Sequence, residues 1–133
     1  MAVKLNYISE YSLIAGDSLK IQFNLVDKQG YPLSTLPQIS DCLEEFPIKV
    51  RAVVKSPDQL NGNDSDNYFS TYIELRGNAT SVEINLPPEK TKHFPTGRKP
   101  NVLAIQISIP SIEFSQEFYV AISVSPSVIT SLY

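Results

Sequence analysis

Alternation of apolar and polar side chains with a period of two constrains this chain more than any other feature. Leu19, Ile21, Phe23 and Leu25 alternate with Lys20, Gln22 and Asn24. Successive side chains of a strand point to opposite faces, so this segment reads as an extended strand with one face buried and one in water. Asp27-Lys28-Gln29-Gly30 closes it with Asp at the first and Gly at the fourth position of a turn. The same parity recurs in Ile48, Val50, Ala52 and Val54, in Phe69, Thr71, Ile73 and Leu75, and in Val82, Ile84 and Leu86. Val3, Leu5 and Tyr7 make a short first strand. Leu103, Ile105, Ile107 and Ile109 share one face, while Val102, Ala104, Gln106 and Ser108 make the other face mixed, as in a strand partly covered on its second side. Pro110-Ser111 makes a tight connection to Ile112 and Phe114; Phe118, Val120, Ile122 and Val124 then keep one parity, with Gln116 between them reading as a bulge or bend.

These segments predict an all-β domain of roughly seven or eight short strands, a sandwich or a barrel. Ten prolines against five glycines agree with many bounded segments and no long helix. One helical turn at most is expected, at Ser40–Phe46, where Ser40 or Asp41 caps and Pro47 ends it. At 133 residues the chain is long enough for one domain, residues 1–133, with a core of its own. Two connections exceed hairpin length, from Pro32 to Pro47 and from Ser56 to Asn67. Loops of that length are where binding tends to sit.

Several chemistries fail by counting. A formal net charge of −3 gives no electrostatic reason to bind nucleic acid. The nearest basic run, Lys90, Lys92, His93, Arg98 and Lys99, is broken by Pro95 and Gly97 and reads as a solvated loop. One cysteine, Cys42, excludes an intrachain disulfide, and with one histidine, His93, it cannot close a zinc site. A Ser-His-Asp arrangement would have to use His93, and no serine stands in a Gly-x-Ser-x-Gly context. No catalytic residue, cofactor or metal is therefore expected. Asn61–Asn67 gathers oxygen ligands at alternate positions, as calcium loops do, without the bidentate Glu. Those residue types also fill ordinary exposed loops. The first ten residues hold no apolar core of a secretory peptide, and no apolar run approaches the ~20 residues of a membrane span, so no membrane association is expected.

One arrangement resembles a known family. Gly16-Asp17, the strand Leu19–Leu25 with Asp27, then Gly30-Tyr31-Pro32 and the strand Ile48–Ala52, are similar to the opening of immunoglobulin-like domains in phage tail and baseplate proteins. Ile84-Asn85-Leu86-Pro87 followed by Thr91, Phe94-Pro95 and Gly97 is similar to that family's Thr-x-x-Leu-Pro-x-Gly stretch before a strand like Val102–Ile107. Phe114–Val124 resembles its closing strand. Arg98–Asn101 stands where the family has an aromatic, and the loop Ser34–Phe46 is longer than in the family.

The resemblance implies an immunoglobulin-like antiparallel β-sandwich and a non-enzymatic virion component of tail, baseplate, connector or capsid. Such a protein would assemble in the host cytoplasm by contact with other virion proteins and with copies of itself. Loop and terminal residues would carry those contacts: Tyr31, Leu33, Leu36, Ile39, Leu43, Phe46, Val128, Ile129, Leu132 and Tyr133. The last of these form an apolar tail that should dock in cis or on a neighbour. Tyr68 and Tyr72, of one parity on one strand, join them as an aromatic surface. With the Asn61–Asn67 loop they would also serve the alternative, a carbohydrate- or ligand-binding β-sandwich.

Overall fold

A computed structural model describes residues 3–6, 9–27, 29, 47–59, 67–76 and 81–129. Eight strands run in the order β1 Val3–Asn6, β2 Glu10–Ile14, β3 Leu19–Asp27, β4 Ile48–Lys55, β5 Phe69–Leu75, β6 Ser81–Leu86, β7 Asn101–Ile109 and β8 Phe114–Ser125. They form two sheets, ordered β1-β3-β6 and β2-β8-β7-β4-β5. The chain crosses between sheets after β1, β2, β3, β5 and β6, so its N-terminal segment is divided, β1 in one sheet and β2 in the other. This is an immunoglobulin-like β-sandwich. Pairing is antiparallel except between β2 and β8, which run parallel from Glu10↔Ala121 to Ile14↔Ser125.

The alternation decides what lies between the sheets. Ile21, Ile84, Ile48, Val50, Ala52 and Val54 are buried from one side or the other, as are Leu103, Ile105, Ile107, Ile109, Val120 and Ile122. All belong to a single cluster. A fully buried Ile or Leu contributes about 1.5–3 kcal/mol relative to an exposed one, so these stripes dominate the stability.

A crossover segment from Pro87 to Pro100 closes one end of the sandwich. It opens with a helical turn, α1 Pro88–Thr91, with proline at its first position, where no amide donor is needed. The buried Thr91 hydroxyl donates to the Asp17 carbonyl at 2.7 Å and ties this segment to the β2–β3 turn. Phe94 then inserts into the core, and buried Asn101 holds the Pro95 carbonyl through Nδ2 at 3.0 Å. Thr91, Phe94 and Pro95, three of the residues that carried the family resemblance, thus each have a packing or bonding task. The fourth, Gly97, does not, for a methyl group there would meet nothing within 4 Å. Gly16, by contrast, has φ 94°, a value side chains resist, in the turn where the Asp17 amide donates to the Ile14 carbonyl at 2.9 Å.

Three expectations need revision. Gln116 marks neither a bulge nor a bend: β7 and β8 pair in one unbroken register from Asn101↔Ile122 to Ile109↔Phe114. β2 lies beside only the second half of β8, so Gln116 sits at the sheet margin, where an inward parity need not be covered. Ile112 belongs to no strand but to a 3-10 turn, Pro110–Ile112, that begins the β7–β8 connection. β2 itself was not foreseen. The helical turn expected at Ser40–Phe46 lies outside the described residues, as do Tyr7, Cys42 and most of both long loops.

Two stability tests follow from this packing. Ile105→Ala, in the middle of β7, is expected to cost about 2–5 kcal/mol in urea unfolding; under 1 kcal/mol would show a site that collapses or is already loose. Glu113, which leads the 3-10 turn into β8, has φ 53°, a left-handed conformation that costs a non-glycine residue about 1 kcal/mol. Glu113→Gly is therefore expected to raise stability or leave it unchanged, whereas Glu113→Val lowers it, and the order of the two denaturation midpoints is the readout.

Candidate functional site

The two outer faces of the sandwich differ in kind. On the three-stranded sheet, polar residues alternate outward and converge on Glu83. Gln22 Nε2 donates to it at 3.0 Å, Asn85 Nδ2 at 3.1 Å, and Lys20 Nζ lies 3.6 Å away. These bonds, Gln22's foremost, hold the Glu83 carboxyl below the usual carboxylate range. Around Glu83 this face is polar and suited to water.

The outer face of the five-stranded sheet is mixed, and the registers place its side chains in rows. One row runs Tyr72, Arg51, Gln106, Glu117 across β5, β4, β7 and β8; the next runs Ser70, Val53, Ala104, Tyr119. On one side of these rows lie Glu74, Lys49, Ser108 and Ser115, and on the other Lys55, Val102 and Ala121, with Glu10 beyond on β2. Tyr72 and Tyr119 are exposed by 56% and 58%, and between them lie the exposed Arg51 and Gln106 and the half-buried Val53 and Ala104. A shallow depression of about 280 Å³ opens on this face, lined by Lys49, Arg51, Tyr72, Gln106, Ser108 and Ser115.

Each exposed tyrosine is held by a carboxylate two residues along its own strand. The Tyr72 hydroxyl donates to Glu74 Oε1 at 2.7 Å, and Arg76 Nη2 holds the other carboxylate oxygen at 2.6 Å. The Tyr119 hydroxyl donates to Glu117 Oε2 at 2.8 Å. Hydrogen bonding to the ionised carboxylate is the main reason that both phenols are pushed up. Reciprocally, Glu74 is held below the usual range, first by Tyr72 and then by Arg76. The rings are thereby fixed in place, with little left to order when a partner arrives.

Of the residues singled out from the sequence, Tyr72 stands on this face. Tyr68 does not join it. It precedes β5, is half-buried, and meets Phe94 edge-on with centroids 6.3 Å apart, so it packs at the margin of the core. Val128 and Ile129 are exposed by 99% and 76%, so up to Ile129 the tail does not dock in cis; Ser127 Oγ and the Ile129 backbone hydrogen-bond one another in a local turn. Tyr31, Leu33, Leu36, Ile39, Leu43, Phe46, Leu132, Tyr133 and the stretch 61–66 lie outside the described residues. His93 is exposed in the turn after α1. Among the described residues, no three His, Cys, Asp or Glu side chains gather as a metal site. Sequence reasoning passed over Arg51, Gln106, Glu117 and Tyr119. Their outward parity was legible, but which strands neighbour one another was not.

No protein-family model and no curated protein matches the chain. Among solved structures it is similar to the YadV chaperone, with 9% identity and a TM-score of 0.51 over 98% of this chain and 55% of that one. It is also similar to part of a family 123 glycoside hydrolase from Clostridium perfringens, with 12% identity and a TM-score of 0.49 over 91% of this chain and 24% of the enzyme. A β-glucuronidase from Parabacteroides merdae matches with 13% identity and a TM-score of 0.48, over 90% of this chain and 14% of the enzyme. The chain thus spans about half the length of the chaperone and a smaller share of either enzyme. At such identities the likeness to the chaperone is one of fold alone.

The tyrosine–carboxylate bond makes a prediction about titration. A carboxyl depressed in the folded state contributes stability above its unfolded pKa and loses it as pH falls through the folded one. In Tyr72→Phe, Glu74 is expected to titrate at higher pH than in the parent, read from its side-chain carbon shift by NMR, and acid destabilisation by this group shrinks. An unshifted titration would show that the bond is not made in solution.

Proposed function

We propose that this chain is a non-enzymatic, immunoglobulin-like structural module of a virus particle, in tail, baseplate, connector or capsid. It assembles in the host cytoplasm and works by contact with other particle proteins. The observation that carries the contact part of this reading is the outer face of the five-stranded sheet. Two exposed tyrosines, each bonded to a carboxylate of its own strand, stand there with Arg51 between them, and tyrosine and arginine are residue types that protein interfaces favour. The opposite face, polar and knit around Glu83, has no such character. The viral part rests on the resemblance of residues 14–128 to tail and baseplate domains. The exposed Val128 and Ile129 add a second apolar surface at the chain's end.

The depression beside Tyr72 favours a second reading, a module that takes a small polar ligand such as a sugar. Its two cations, two serines and glutamine offer donors, at about the lower size limit of ligand sites. A glycan array with no response would remove it.

The main reading is tested by fractionating particles from cells that make this chain. It should co-sediment with intact particles in a fixed ratio to the other proteins, and recovery only in the free soluble fraction would refute it. Deleting residues 127–133 is expected to reduce incorporation while the melting temperature of the domain stays close to the parent's. Equal losses of both would assign the tail to the fold instead.

A further inference from the structure

We infer that the outer face of the five-stranded sheet pairs with the same face of a second copy of this chain, about a two-fold axis running along β7. The inference rests on the reading of this face as a protein contact surface and names its occupant. Charge placement carries it. β7 is the central strand of five. On one side of it β4 points Lys49, Arg51 and Lys55 outward, and β5 beside them carries Glu74, which is bound by Arg76. On the other, the outward charges are Glu117 on β8 and Glu10 on β2, both carboxylates. A two-fold axis along β7 exchanges the two sides and preserves position along the strands, so Arg51 of each copy comes to lie over Glu117 of the other, while Lys49 and Lys55 fall opposite Ser115 and Ala121.

The registers make the match specific. Arg51, Gln106 and Glu117 share one row on successive strands. The rotation places Arg51 over Glu117 of the second copy, Glu117 over its Arg51, and Gln106 over Gln106, where two amides can each donate and accept. One row along, Val53 meets the ring of Tyr119 and Ala104 meets Ala104. Small residues on the axis, Ala104 and Ser108, let the sheets approach to the ~10 Å of face-to-face packing, with the usual ~30° rotation between them. Such an interface is isologous, each contact occurring twice. Five strands ~4.8 Å apart and about seven residues long give a face of roughly 500 Å² per copy. The total, about 1,000 Å², is at the lower end for specific interfaces, so the dimer is a reversible one.

Sedimentation equilibrium over a concentration series tests this. The parent is expected to be in monomer–dimer exchange that weakens with added salt. Arg51→Glu and Glu117→Arg each set like charges opposite one another twice, and each should raise the dissociation constant at least about tenfold. An equimolar mixture of these two variants should dimerise about as well as the parent, because both crossed pairs are again opposite in sign. Glu83→Arg, on the other sheet, should change nothing. All three positions are exposed, and unchanged melting temperatures exclude misfolding as the cause. A parent that stays monomeric, a dimer indifferent to both reversals, or a mixture no better than its components overturns the pairing. A monomer that still enters particles overturns the pairing alone. A dimer absent from particles overturns the viral reading alone.

Discussion

Three adjacent strands, β4, β7 and β8, hold the arrangement together by keeping strict parity against one partner sheet. Their inward residues, from Ile48 to Val54, from Leu103 to Ile109 and from Val120 to Val124, are buried almost without exception. Because a slip of one residue would send every one of them to water, the register is tightly specified. That register in turn decides what lies side by side on the opposite face. Arg51, Gln106 and Glu117 form a row because Ala52, Ile105 and Phe118 must face inward. The exposed surface is in this sense a by-product of core packing, given chemistry by the residues chosen for it.

Most of this logic is present in the one-dimensional pattern. β3, β4, β5, β6 and β7 could be read almost to their ends because each has one wet and one dry face. What escaped has physical causes. β2 is five residues long and pairs parallel to the margin of β8, so its alternation of Tyr11 and Leu13 with Glu10 and Ser12 is too brief to stand out. Gln116 looked like an interruption because parity predicts burial only where a second sheet lies overhead. Tyr68 shares the parity of Tyr72, yet it sits before the strand proper and turns its ring onto Phe94. Periodicity assigns a face; it does not say where the facing layer stops.

The candidate site was legible only in part for a related reason. Tyr72 could be picked out as an outward aromatic, but Tyr119 lies 47 positions further on and three strands away, a neighbour only through the order β5-β4-β7-β8. Strand order is a long-range property set by the crossovers. The crossover before β7 is fixed by scattered contacts, the Thr91 hydroxyl on the Asp17 carbonyl, Phe94 in the core and Asn101 on Pro95. Short motifs of this kind are visible in the sequence before their packing task is.

The contrast between the outer faces bears on why one of them keeps its tyrosines. A solvent face needs only polar residues, and the β3–β6 face has them, saturating Glu83 with three partners. On the β5–β4–β7–β8 face each tyrosine spends its hydroxyl on a carboxylate of its own strand and leaves the ring edge outward. Lone rings so exposed gain little from water. Two of them, standing across Val53 and Ala104 with Arg51 and Gln106 alongside, leave a surface that loses free energy when it is covered. The charges around the strip then bear on what may cover it: Arg51 on one side of β7 and Glu117 in the same row on the other come opposite one another when a copy is turned about the strand. Hydrophobic contact supplies the attraction, and the division of charge across β7 supplies the orientation.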